Sequence, residues 1–196
     1  MNSLQRGEDK ILRFRLDGFA CPVPMDIEGG NVSAMAKSET LKVLGDLVDD
    51  LISGTSGSES WVLNREDPGL LRSLDVLTGE QASEVPFGGG SSIAAHIEHL
   101  RYGFQLFNRW SAGDEQAFAD ADFSAAWRHN SVSQEEWTEL REDLAREALA
   151  WRKSLEDSKD RGPGIGASIA CVVHLAYHLG SIRQINRSLR GPAARD

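Results

Sequence analysis

Residues 91–112 read SSIAAHIEHLRYGFQLFNRWSA, and this stretch decides the fold. Ile93, Ile97, Leu100, Phe104 and Phe107 recur in steps of 4, 3, 4 and 3. That is the spacing of a helix that buries one seam against other helices. Working outward, three more stretches carry the same period. In 134–157 the stripe is Trp137, Leu140, Leu144, Ala148, Trp151 and Leu155, with Ser133 and Glu136 placed as a capping box. In 34–53 it is Leu41, Leu44, Val48, Leu51 and Ile52, stopped by Gly54. Residues 165–190, IGASIACVVHLAYHLGSIRQINRSLR, follow Pro163 and end at Gly191-Pro192. Four long helices with few strand signals predict an all-α chain organised as a four-helix bundle.

Residues 1–33 read as a leader, 34–190 as the bundle and 191–196 as a tail. In the leader Leu12, Phe14 and Leu16 alternate with Arg13 and Arg15, which predicts a short strand. Pro22, Pro24, Gly29 and Gly30 then break the chain. A long connector fills 55–90, with a short helix expected over Gly69–Leu77 behind Pro68. Gly88-Gly89-Gly90 is not a phosphate loop, because no strand precedes it and no Gly-Lys-Ser/Thr follows.

At 196 residues the chain is long enough for one domain with a core of its own. No apolar run is read as approaching the roughly 20 residues that span a bilayer, and Met1–Lys10 has no signal-peptide core. Cys21 and Cys171 are too few for a disulfide framework, so a reducing cytoplasm is expected. The net charge of −9 argues against a nucleic-acid partner. Arg183, Arg187, Arg190 and Arg195 gather near the C-terminus, where they complement a helix dipole.

The chemistry lies in the histidines. Four of the five form two close pairs, His96/His99 and His174/His178. His129 sits alone in a polar connector. The i,i+4 spacing of His174 and His178 puts two imidazoles on one helix face, one turn apart. A third imidazole from a neighbouring helix completes a three-nitrogen site for a divalent transition metal with open positions. On the last helix Ile165, Ile169, Val172, Ala176 and Leu179 share one face, and His174 and His178 share another with Ala167, Cys171 and Ser181. That second face is small and polar, as a lined cavity requires. On the 91–112 helix His99 is flanked one turn either way by Ala95 and Gly103, whereas His96 sits beside Leu100 nearer the seam. His99 is therefore the preferred third ligand and His96 the reserve. Cys171 reads as a small buried residue with a fourth-ligand role as the alternative. Trp127, Trp137 and Trp151 read as packing residues. Tyr177 and Arg101 read as surface or packing residues, with substrate contact as the alternative. No HExxH helix, CxxC pair, Glu-x-x-His pair or GxSxG elbow is present.

Two of these stretches resemble a known family. Ser92-Ile-Ala-Ala-His-Ile-Glu-His99-Leu is similar to the second-helix signature of the DinB-like (YfiT-like) metal-dependent four-helix bundles. His174-Leu-Ala-Tyr-His178-Leu-Gly-Ser-Ile resembles their fourth-helix HxxxHxGQI-type motif. The likeness covers 34–190 in helix order. It places His99, His174 and His178 at the family's metal triad. Ser181 departs from the pattern, which commonly has Gln there.

The resemblance implies an up-down-down-up bundle with a long cross-over, and a homodimer. It implies zinc, nickel or iron as cofactor, since different members bind each. Some members are transferases or isomerases that use a low-molecular-weight thiol. The expectation is therefore a metal-dependent enzyme, of transferase or hydrolase type, acting on a small-molecule substrate. The alternative is a non-catalytic metal- or small-ligand-binding stress-response protein with the same pocket. Neither nucleic acid nor membrane is expected as a partner.

Overall fold

The computed structural model describes residues 12–16, 19–23, 34–54, 60–119, 121–128, 130–157 and 164–193. His129, Pro163, Arg195 and most of the leader lie outside them. The strand expected in the leader is present. Leu12–Leu16 (β1) pairs antiparallel with Phe19–Val23 (β2), Phe14 opposite Cys21.

Four long helices follow the four periodic stretches. They are Ala34–Ser53 (α1), Ile93–Ser111 (α4), Gln134–Asp157 (α6) and Ile165–Ile185 (α7). Short helices Gly69–Leu74 (α2), Gly79–Ala82 (α3) and Phe123–Ala126 (α5) lie in the connections. The helix expected over 69–77 thus stops early. Thr78 then caps a separate helix, α3, with its own capping box to Gln81, just past the expected stretch. The last helix also ends early, at Ile185. Asn186 leaves the helical backbone, and its side chain accepts the Ser188 N–H to start a 3-10 turn over Arg187–Leu189.

Local chemistry explains the starts. Ser92 caps α4 by accepting the Ala95 N–H at 3.2 Å. At α6 the Ser133 N–H donates to Glu136 Oε2 at 2.7 Å, and the Glu136 N–H donates to Ser133 Oγ at 3.1 Å. The predicted capping box is therefore formed. At the end of α1, Gly54 has φ +79°, and a Cβ there would collide with the Asp67 carbonyl and the Gly69 nitrogen. Only glycine lets α1 turn this closely against the start of α2.

The predicted stripes meet in one core. Leu41, Leu44, Val48, Leu51 and Ile52 of α1 are buried, as are the whole α4 seam and Trp137, Leu144, Ala148, Trp151 and Leu155 of α6. Leu140 is half-buried. Trp151 stacks on Phe104 with centroids 5.1 Å apart, and Trp137 Nε1 donates to the Leu77 carbonyl at 2.9 Å. Burying side chains of this size contributes about 1.5–3 kcal/mol each before the entropy of ordering them is set against it.

Helix α7 corrects the sequence reading in two ways. Ile169 does not share the buried face, being 45% exposed, and Leu175, which is fully buried, takes its place. The buried face is Ala167, Ser168, Val172, Leu175, His178, Leu179 and Ile182, with Ile169, Val173 and Tyr177 left exposed. The helix is also long and apolar enough, by length and composition alone, to cross a membrane. Its buried side packs on α1 and α4.

Two buried carboxylates fix the connector. Asp50 accepts the backbone N–H groups of Trp61, Val62 and Leu63 at 3.0, 2.7 and 3.3 Å. Asp67, 2% exposed, makes a two-pronged pair with Arg183 of α7 at 2.6 and 3.0 Å and accepts the Gly69 N–H at 2.8 Å. Arg183, the basic residue in the last turn of α7 as the dipole reading has it, thus also ties α7 to the connector.

Candidate metal centre

Helix α4 presents His96 and His99 toward His174 and His178 of α7. The seam on one side of α4 and Leu175 with Leu179 on α7 are anchored in the core. The two helices therefore hold their imidazoles in register without relying on a loop. Ala95 is fully buried, and a Cβ added at Gly103 would meet nothing within 4 Å. The space expected one turn either side of His99 thus exists at Gly103.

His99 and His178 are each 1% exposed, whereas His96 and His174 are half-buried. The rings make two nitrogen–nitrogen contacts. His99 Nε2 lies 3.0 Å from His174 Nε2, and His96 Nδ1 lies 2.8 Å from His178 Nδ1. Each contact needs one N–H and one lone pair, so neutral rings suit it. One ligand atom from each of His99, His174 and His178 lies within 4.8 Å of the others, a group that could hold a metal ion. His96, held in reserve on the sequence, stands in the same cluster but outside that convergent group. Cys171 is also outside it and packs half-buried against the core. Burial pushes its thiol pKa well above the ordinary value. That matches the small-apolar reading.

The donor set fits a divalent transition metal. The group is three neutral nitrogens, the ligands such ions favour. His99 Nδ1 and His178 Nε2 are buried with no hydrogen-bond partner among the described residues, which is costly for a polar atom unless something else engages it. Burial keeps all four rings neutral. It lowers His96 and His174 to about 4, and burial, with the repulsion that protonated His174 and His96 would add, lowers His99 to about 3. His178 is lowered furthest, by burial first and then by His174, His99 and His96. Ligands must be deprotonated, so no proton has to be removed at neutral pH.

These depressions set a pH dependence for the metal-free protein. The unfolded chain takes up the protons first, so stability is full above about pH 6.5 and falls below it. For His99 the loss levels off below its folded value of about 3. At pH 5 this ring alone accounts for about 2 kcal/mol. Urea midpoints at pH 7.5 and 5 check this, and equal midpoints would refute it.

Aromatic residues roof the cluster. Trp127 stacks on His99 at 4.5 Å and meets the edge of His96 at 5.2 Å. Phe123 of α5 lies 5.7 Å from His99, and Tyr102 meets Phe123 at 5.5 Å. Asp122 starts α5 by accepting the Ala125 N–H at 3.2 Å. Trp127 was expected in the packing of the helices and stands at the site instead. Its position in a connector without helical period gave no facing signal, and only its nearness in sequence to a polar break could have raised it. Tyr177, 63% exposed, stands T-shaped against His178 with ring centroids 5.2 Å apart. Arg101 is engaged by Glu98 through two contacts of 2.7 Å. Ser181 donates to the Tyr177 carbonyl at 3.0 Å.

A family model, that of the DinB superfamily, matches residues 65–182. The match contains all four clustered histidines and the aromatic roof. No curated protein and no solved structure matches the chain.

Proposed function

The chain belongs to the DinB superfamily, and from that premise we propose that it is a divalent-metal-dependent enzyme, a thiol-dependent S-transferase or isomerase acting on a small molecule. The observation that carries the reading is the convergence of His99, His174 and His178, one ligand atom of each within 4.8 Å of the others, with both buried rings keeping a nitrogen that has no partner among the described residues. These three residues would hold the ion, whether zinc, nickel or iron.

The helix contacts support an up-down-down-up four-helix bundle. α1 packs on α6 and α7, and α4 packs on the same two, so α1 and α4 lie on one diagonal. The exposed row Ile169, Val173 and Tyr177 on α7 supports a homodimer. A cytoplasmic setting accords with the cysteine content.

When bound, the ion supplies Lewis acidity that favours the deprotonated form of a thiol or water beside it. The protein's part is positioning. His99 and His178 are locked from behind by the core, and Trp127 and Phe123 cover the His99 side against water. The half-buried His96 and His174 mark the side from which a small substrate enters. Cys171 stands outside the ligand group, so it leaves open the position that a non-catalytic binding protein would close.

The test uses protein purified without an affinity tag. One equivalent of zinc, nickel or iron is expected per chain. Thiol conjugation to at least one of several electrophiles is then expected to depend on that metal. Failure to bind any of the three ions sinks the metal reading. Binding without turnover under any thiol moves the protein to the stress-response binding alternative. A monomer mass by light scattering at micromolar concentration removes the dimer.

A further inference from the structure

His96 belongs to no ligand group, yet its Nδ1 sits 2.8 Å from His178 Nδ1. His178 Nε2 is buried and has no hydrogen-bond partner among the described residues. A neutral imidazole carries one N–H and one lone pair, and the bond made by one nitrogen fixes the state of the other. Two polarities are possible for the contact. If His96 donated, His178 would carry its proton on Nε2, a buried N–H with no acceptor among the described residues, which is unfavourable. If His178 donates, its Nε2 becomes a lone pair free for an ion. His96 then carries its own proton on Nε2, and His96 is half-buried and better able to reach water.

We propose that His96 is a positioning residue whose Nδ1 accepts the His178 Nδ1–H and so holds His178 in the tautomer that binds the ion through Nε2. Ligating histidines commonly donate their second nitrogen to a carboxylate or carbonyl. Among the described residues the hydrogen-bond partner of His178 Nδ1 is His96, so an imidazole takes that role here. Trp127, edge-on to His96 at 5.2 Å and 89°, holds the accepting ring in place. The inference rests on the metal reading above and deepens it.

Zinc competition against a chromophoric chelator tests it on the full chain, with His96→Ala, His96→Asn and His96→Phe. His96→Ala is expected to keep one equivalent but to bind about 10–100-fold more weakly. Asn places a carbonyl oxygen near the position of Nδ1 and restores most of the affinity, while Phe fills the space and does not. In the zinc-loaded wild type, long-range proton–nitrogen NMR shows His178 protonated at Nδ1 and bound at Nε2. That measurement does not depend on any variant folding. Equal affinity in His96→Ala and wild type overturns the proposal, as does His178 bound through Nδ1. A cobalt spectrum in which His96→Ala loses a nitrogen donor makes His96 a ligand and overturns it too. A wild type that binds no zinc, nickel or iron fails at the metal reading itself and takes this proposal with it.

Discussion

His99→Ala, His174→Ala and His178→Ala each lose tight binding of a divalent ion, while His96→Ala keeps stoichiometric binding. Three ligands leave no redundancy. Removing one leaves two nitrogens, and the loss exceeds the roughly 10–100-fold that an outer partner costs. The fold survives, because the apolar stripes of α1, α4, α6 and α7 make a core that does not depend on the metal. Metal content on each purified variant, with helicity as the control, decides the matter. Full retention in His99→Ala together with loss in His96→Ala would exchange their roles. Retention in all four would leave the convergence of the rings without a ligand to explain it.

The second large effect is on stability. Arg183→Ala strands the Asp67 carboxylate, 2% exposed, with the Gly69 N–H as its remaining described partner. Breaking a buried ion pair from one side costs about 3–5 kcal/mol, since the charge left behind cannot reach water. In a chain of this size that lowers the melting temperature by roughly 6–20 °C. The double variant Asp67→Ala/Arg183→Ala is expected to lose less than the sum of the single changes, because it removes both charges together. Thermal and urea unfolding of the three variants measure this. Additive losses would show that the two groups act independently, against the paired geometry.

The long helices were legible because one period ran through each. The α4 seam and the α6 stripe are buried where their spacing put them, and the Ser133/Glu136 box is formed. The period failed on α7, which is apolar on most of its circumference. When nearly every position is apolar, spacing says that a helix forms but not which way it faces. Ile169 was therefore placed inside and Leu175 passed over. The histidine pair faced α7 better than its apolar residues did, since both imidazoles turn toward α4. At the site, His99, His174 and His178 were legible from the i,i+4 pair and the small neighbours of His99. The contact of His96 with His178 was not, because it depends on how two helices cross, which neither sequence carries alone. The Asp67–Arg183 pair joins residues 116 apart in sequence, and no local pattern announces it.

The roof and the ligands stand in different economies of constraint. His99 and His178 sit on helices whose other faces fill the core, so moving either ring means repacking the interior. Trp127 and Phe123 belong to the stretch between α4 and α6, and neither is part of the core. Their replacement changes the shape and polarity above the rings while the interior stays closed. What such a centre admits can therefore be revised at little structural cost, and what it holds cannot.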